Sequence, residues 1–269
     1  METRPAVLVT GASRGIGAAT CLQFARRGYD VALTARTETD LNAVASEARE
    51  QGARTLVLPG DLGDLGHAES AVAGTIERFG RIDVLVNNAA WRDILTMRTI
   101  TVESWEKTLR ICLTAPAFLA RWAAADMETR GRGVIINVSS VQSQVVSGIG
   151  PAYVACKGAL DSLTYELATL WGPKGIRVVG INPGAIDTEM SGDYESSEGK
   201  SITAEMRRWS EDVIPLRRWG TAREVAATIA FLASDDAAYI TGTSVFADGG
   251  LKTQLSPYSL KRMMFPKEF

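Results

Sequence analysis

Histidine is almost missing from this chain of 269 residues, where His67 is the only one. Multi-histidine metal centres are thereby excluded, and a serine-hydrolase triad would have to recruit that single ring. Cysteine is scarce as well. Cys21, Cys112 and Cys156 form no paired spacing, which argues against a disulfide framework and suits a reducing, cytoplasmic compartment. Net charge is small, at −2 with a pI near 5.6, so no electrostatic feature points to nucleic acid or an anionic membrane. Long apolar runs are lacking too. The longest uncharged stretch, 133–156, is broken by Asn137, Ser139, Ser140, Gln142, Ser143 and Gln144 and reads as buried strand and loop, not as a membrane span. Repeats and low-complexity tracts are absent, and Met1-Glu2-Thr3-Arg4-Pro5 leads straight into a strand-like run without the pattern of a signal peptide.

What remains is a 46% hydrophobic content, ample for one large core, and a regular alternation of short β-branched runs with helical stripes. Residues 6–10 form an apolar strand, followed by Gly11-Ala12-Ser13-Arg14-Gly15-Ile16-Gly17 and then Ala19, Leu22 and Ala25 at helical spacing. Strand, glycine turn and helix in that order let a diphosphate approach the first helical N–H groups, where the helix dipole favours negative charge. A second strand, 30–35, ends at Arg36, the position from which a dinucleotide fold inspects the adenosine ribose. An acid there would repel a 2′-phosphate, whereas the guanidinium forks of Arg36 and Arg14 suit one. The residues therefore favour NADP(H) over NAD(H), against the plainer reading of two solvated arginines.

Further strands are expected at 55–58, 83–86, 134–138, 176–181 and 244–247, with helical stripes between them. This predicts a single α/β domain over 1–269, a doubly wound parallel sheet of about seven strands with helices on both faces. Asp61-Leu62, past the third strand, either contacts adenine or caps a turn. The fourth strand delivers Asn87-Asn88-Ala89-Ala90 at its carboxyl end, where open parallel sheets place ligands. A long helix is expected over 102–128, with Trp105, Leu109, Cys112, Leu119 and Trp122 on its inner side and Pro116 within it. Proline lacks the N–H that would bond the carbonyl of Cys112, so a local kink is expected.

The most suggestive pattern is Tyr153-Val154-Ala155-Cys156-Lys157. Residues four apart share a helix face, and a fixed cation near a phenol favours the phenolate, which helps proton transfer near neutral pH. Ser140 ends the fifth strand thirteen residues earlier. Alone, a Tyr/Lys pair at this spacing is common on solvated helices.

In combination the motifs resemble those of the short-chain dehydrogenase/reductase superfamily over residues 6–250, including its 3-oxoacyl reductase-like members. Thr10-Gly11-x-x-x-Gly15-Ile16-Gly17 is similar to the family's cofactor turn, Asn87-Asn88-Ala89-Ala90 to its Asn-Asn-Ala-Gly segment, and Ser140, Tyr153 and Lys157 to its catalytic trio. Pro183-Gly184 with Thr188 looks like its nicotinamide and diphosphate contact. The resemblance implies hydride transfer between nicotinamide and a carbonyl or secondary alcohol substrate. Tyr153 would move the proton, Ser140 would hydrogen-bond the oxygen, and Lys157 would bond the cofactor's ribose. Cofactor contacts are expected at Gly11, Ser13, Arg14, Gly15, Ile16, Gly17, Arg36, Asp61, Leu62, Asn88, Ala89, Tyr153, Lys157, Pro183, Gly184, Ile186 and Thr188. The family usually places asparagine seven residues after the helix tryptophan, here Trp105, and this chain has Cys112. That asparagine extends a proton relay whose water is held largely by its main-chain carbonyl, which a cysteine keeps. Ala90 in place of glycine adds one methyl group. The competing reading is a non-catalytic or weakly active dinucleotide-binding regulator.

The remaining expectations are softer in chemistry. Trp91, Gln142 and Val145, with Met190, Tyr194, Met206 and Trp209 of a lid over about 185–215, suggest an apolar pocket for a medium-sized carbonyl compound, or ordinary core. Asp187, Glu189, Asp193, Glu195 and Glu198 argue against a strongly anionic substrate near that lid. Arg207, Arg208, Trp209, Arg217, Arg218 and Trp219 mix base with aromatic, but Glu205, Glu211 and Asp212 dilute the charge, and no nucleic acid is expected. The extension 251–269, with Tyr258, Leu260, Met263, Met264, Phe265 and Phe269, is too apolar for a solvated tail. It is expected to pack over the pocket mouth or against another subunit of a homo-oligomer, a tetramer or dimer by the family resemblance.

Overall fold

A computed structural model describes residues 4–191, 194–196 and 198–269. Asp193, one of the acids weighed above, lies outside them. Nine strands and nine α-helices are found among the described residues. Seven strands, β1 (Ala6–Thr10), β2 (Asp30–Ala35), β3 (Thr55–Pro59), β4 (Val84–Asn87), β5 (Gly133–Val138), β6 (Ile176–Pro183) and β9 (Thr243–Ala247), form one sheet in the order β3-β2-β1-β4-β5-β6-β9. Every pairing in it is parallel. β7 (Ile186–Asp187) and β8 (Gly220–Thr221) make a separate small pair.

The apolar runs require burial on both faces, because successive side chains of a strand point to opposite sides. In β1, Val7 and Val9 pack into one core with α1 (Gly15–Arg26), α2 (Glu38–Glu50) and α8 (Ala222–Leu232). Ala6 and Leu8 pack into the other, with α3 (Leu65–Phe79), α5 (Ala115–Glu128) and α6 (Pro151–Trp171). A charged substitution in such a strand would find no solvated face. The strand order reverses between β1 and β4, so their carboxyl-terminal loops diverge and leave a crevice there.

The expected helix over 102–128 is three pieces in series: α4 (Val102–Leu109), a π turn at Arg110–Thr114, and α5. The Ala115 N–H reaches back to the carbonyl of Arg110. Pro116 thus expresses itself as a one-residue bulge in the turn before it, since its ring removes one N–H from the ladder and the bonding shifts register. Cys112 and Leu119 are buried as expected, whereas Trp105, Leu109 and Trp122 are only partly buried. The stretch 185–215 carries more structure than its irregular pattern suggested, with a 3₁₀ turn at Glu189–Ser191 and α7 at Thr203–Val213. None of the residues of α7 is fully buried; its apolar Met206 and Trp209 face the cavity instead of a core.

The carboxyl-terminal extension ends in α9 (Tyr258–Met264). It is fastened to the end of α7 through Asp212, which accepts hydrogen bonds from the Ser259 N–H (3.0 Å), the Ser259 hydroxyl (2.6 Å) and Arg217 (2.8 Å). Arg217 also stacks on Tyr258, 4.2 Å from the ring centroid. Leu251 reaches the crevice, while Leu255, Met263 and Met264 remain exposed. Among the described residues no helix is long and apolar enough to cross a membrane.

Candidate active site

A cavity of about 570 Å³ occupies the crevice at the carboxyl ends of the strands. One end is made by the turn after β1. Gly11 and Gly15 take positive φ there, +62° and +55°. A Cβ on Gly11 would lie 2.8 Å from the Ala89 Cα, and one on Gly17 would lie 2.1 Å from the Gly11 carbonyl oxygen. Glycine is thus what lets α1 and the Asn88-Ala89 strand end close on the turn. Thr10 fastens the floor: its hydroxyl accepts from the N–H groups of Asn88 (2.9 Å) and Ala89 (3.0 Å), and Asn88 returns a bond to the Thr10 carbonyl (2.8 Å). The start of α1 has no acidic residue in its first turn, and the Arg14 side chain makes no cap bond. Its leading N–H groups therefore face the cavity as a site for an anion. Arg36 lines the same end.

The other end is built by β5, the loop after it and α6. The Ser140 hydroxyl oxygen accepts from the Gln142 N–H at 3.1 Å, which holds the side chain at the strand end. Ser139 donates to the main-chain carbonyl of Lys157 at 2.9 Å, tying α6 to β5. Lys157 is only 2% exposed, donates to the Val138 carbonyl at 2.7 Å, and has its Nζ 5.4 Å from the centroid of the Tyr153 ring. An ammonium carries three donors, and Val138 takes one of them. Ser140, Tyr153 and Lys157 all line the cavity, as the helical spacing and the strand end required.

Most other expected contacts are in the wall. Ser13, Arg14, Ile16, Asp61, Leu62, Asn88, Ala89, Pro183, Gly184, Ile186 and Thr188 line it, as do Trp91, Gln142, Met190, Tyr194, Met206 and Trp209. Two expectations need correction, at Gly17 and Val145, and the side chain of Cys112 makes a contact that was not expected. Gly17 lies beneath the turn and acts by permitting close packing, not by touching the cavity. Val145 follows the 3₁₀ turn at Val141–Ser143, faces outward at 38% exposure and is replaced in the wall by Ser147 and Ile149. Cys112 is fully buried behind the wall. Its Sγ accepts from the Trp91 N–H at 3.3 Å and donates to the Trp91 carbonyl at 3.4 Å, so it pins the chain just after Asn87-Asn88-Ala89-Ala90. The Trp91 ring lies between Arg36 (5.3 Å) and Lys107 (3.6 Å), turned towards the β2 end of the cavity.

Sequence reasoning missed Arg92, Ile94, Ile149 and Trp219, all of which line the cavity. Only Arg92 had a visible signal, its place directly after the fourth strand's ligand loop. Burial and the neighbouring Cys112 push the Cys156 thiol up to about 12, against a smaller opposing pull from Lys157. It is a packed thiol, without nucleophilic character at neutral pH.

This arrangement fits a dinucleotide: a glycine turn against a bare helix start, a cation at the ribose position, and a buried lysine with unused donors at the far end. Comparison with known proteins agrees. A family model described as enoyl-(acyl carrier protein) reductase matches residues 11–252. The chain is 35% identical to an L-rhamnose 1-dehydrogenase (NAD(P)(+)) of Sphingomonas sp. over 93% of its length and 96% of that protein. It is 34% identical to a 3-oxoacyl-(acyl-carrier-protein) reductase of Staphylococcus aureus, covering 93% and 99% of the two chains. Among solved structures, a variant of actinorhodin polyketide ketoreductase with NADPH superposes with a TM-score of 0.89 at 28% identity, over 94% of this chain and 99% of the other. The chain belongs to the short-chain dehydrogenase/reductase superfamily and is an oxidoreductase acting on CH–OH and C=O groups.

Proposed function

We propose that this protein is an NADP(H)-dependent ketone or 3-oxoacyl reductase, or the corresponding alcohol dehydrogenase in reverse, with Ser140, Tyr153 and Lys157 as catalytic residues. The observation that carries this reading is the meeting of those three side chains in one cavity with the glycine turn and Arg36. When bound, the nicotinamide supplies or accepts a hydride at the carbon of the reacting group. The chain's own residues do the rest. Ser140, whose oxygen is already occupied by the Gln142 N–H, has its proton free for the substrate oxygen. Tyr153 gives that oxygen a proton in reduction and takes it back in oxidation. Lys157 turns its remaining donors to ribose hydroxyls and sets a positive charge beside the phenol.

The preference for NADP(H) rests on Arg36, whose guanidinium suits a 2′-phosphate. Cys112 preserves the relay position with a weaker side-chain anchor than asparagine provides. Cys112→Asn should then change kcat little, and a rise by orders of magnitude at constant cofactor affinity would show that the relay was impaired. The segment 185–215 is read as a lid. The exposed Phe118, Tyr165 and Leu170 on α5 and α6, with Phe231 and Tyr239 near the sheet edge, favour a homo-oligomer. Three free cysteines fit a cytoplasmic setting. Nucleic acid is not a partner in this reading, because Arg207, Arg208, Arg217 and Arg218 are each neutralised by a carboxylate.

The test is oxidation of NADPH and NADH by the purified protein with a panel of ketones and oxo acids. Turnover with NADPH preferred is expected. Tight cofactor binding without turnover of any carbonyl or alcohol would favour the regulator.

A further inference from the structure

We propose that Arg92 is the specificity-determining residue of the substrate end and grips a carboxylate, so that the substrate is a short oxo acid or its hydroxy acid. This rests on the carbonyl-reductase reading and narrows it to an anionic substrate class. Arg92 leaves the chain directly after the loop that ends β4 and is half-buried in the cavity wall. Its guanidinium carbon lies 5.9 Å from the centroid of the Tyr153 ring. One nitrogen donates to the Met190 carbonyl at 3.2 Å and to the Tyr194 hydroxyl at 3.4 Å, both on the lid side. Two long bonds leave most of its five donors unused.

Among the described residues no carboxylate pairs with Arg92, although the lid is rich in acids. Among the described residues the acids of this segment face other cations or lie off the cavity. Glu189 faces Arg14 at 3.7 Å, Asp187 faces Arg207 at 3.2 Å, and Glu198 faces Lys200 at 3.2 Å. Glu195 is exposed and does not line the cavity. Asp93, next in sequence, accepts from the Ser104 hydroxyl at 2.5 Å. Among the described residues, then, Arg92 has no carboxylate partner and sets its charge against the Tyr153 ring.

A planar guanidinium matches a carboxylate with two parallel N–H bonds, and partial desolvation strengthens them. Tyr194 accepts from Arg92, which leaves its own phenolic proton free for the same carboxylate. With the carboxylate held there and the carbonyl at Ser140 and Tyr153, the short span between guanidinium and phenol ring suits a compact substrate. Reduction adds a hydride to the carbonyl carbon and the Tyr153 proton to its oxygen. The carboxylate keeps its charge, and the reduced nicotinamide is oxidised by two electrons.

Two measurements test this. In the first, kcat/KM is determined for 2-, 3- and 4-oxopentanoate and their methyl esters with the wild type, Arg92→Gln and Arg92→Lys. The wild type should favour at least one acid over its ester by about 100-fold. Arg92→Gln should abolish that ratio, chiefly through KM, and Arg92→Lys should restore part of it. Equal use of acids and esters by the wild type, or an unchanged ratio in Arg92→Gln, overturns the proposal. The second is calorimetric binding of pentanoate and of methyl pentanoate, which have no ketone to reduce, to the protein with NADP⁺. Pentanoate should bind more tightly by about tenfold or more, and only with Arg92 in place. Arg92-dependent binding without turnover of any oxo acid would leave the anion site standing and remove the reductase reading. Turnover of esters with no preference for pentanoate would do the reverse.

Discussion

At the end of the cavity made by β1, β4 and α1, contacts run through main chain: Gly11 against Ala89, Asn88 and Ala89 N–H groups against the Thr10 hydroxyl, and a helix start that no side chain caps. At the other side, around α7 and the α9 helix that packs on it, they run through exposed side chains, as ion pairs of Arg207, Arg217 and Arg218 and rings stacked under cations. The first end is fixed by sterics, where one methyl group is felt. The second is held by many weak, screened contacts that tolerate change singly. A binding site for an invariant group needs the former, and a site that selects among substrates is easier to build from the latter. Tyr153 and Lys157 sit where the two meet.

The largest effect should come at that junction. On the proposed mechanism Tyr153→Phe removes only the proton carrier, so kcat should fall by about 10²–10⁴-fold, with melting temperature and cofactor affinity kept. A variant with normal turnover would dissolve the division of labour. Next is Gly17→Ala. Helix propensity alone predicts a gain of up to about 1 kcal/mol, whereas the approach to the Gly11 carbonyl at 2.1 Å and to the Asn88 side chain at 2.7 Å predicts a loss of about 1–3 kcal/mol. Urea titration gives the sign, and a weakened cofactor affinity should accompany the loss.

Arg36→Gln should raise the KM for NADPH about ten- to hundredfold while leaving that for NADH nearly constant. Equal changes for both would mean that Arg36 serves only to stack on Trp91. The smallest effect belongs to the joint between α7 and α9. Ser259 first, and then Arg217, hold the Asp212 carboxyl below its ordinary value of 3.8. A group depressed in the folded state stabilises fully above its unfolded value and loses that contribution as pH falls through the lower folded one. Asp212→Asn should therefore cost no more than about 1 kcal/mol at neutral pH, and the gap from wild type should close below about pH 4. A gap that persists in acid would show that packing, not charge, fastens α9.

The two ends also differ in how far they could be read from the chain alone. Gly11, Gly15, Asn88, Ser140, Tyr153 and Lys157 were legible because strand ends and helix periodicity bring them together by local geometry. The sheet was legible for the same reason, its strands being apolar runs buried on both faces. Gly17 was found but given the wrong kind of contact, since spacing does not say whether a residue lines a wall or supports it from behind. Val145 was misplaced because a 3₁₀ turn reset the direction of its loop. α7 went unread as a helix because charged residues crowd its short apolar stripe of Met206, Trp209 and Val213. Arg92 went unremarked because what distinguishes it is its place over the Tyr153 ring, which only the folded chain shows.

Transfer of deuterium from NADPH labelled at nicotinamide C4, followed by mass spectrometry of the product, tests the central claim most directly. With one of the two labelled epimers and an accepted ketone or oxo acid, the carbinol carbon should carry the label, and Tyr153→Phe should form that labelled product at least about 100-fold more slowly. Product without label at that carbon, or label found only at the former double bond of an enoyl substrate, would contradict the account.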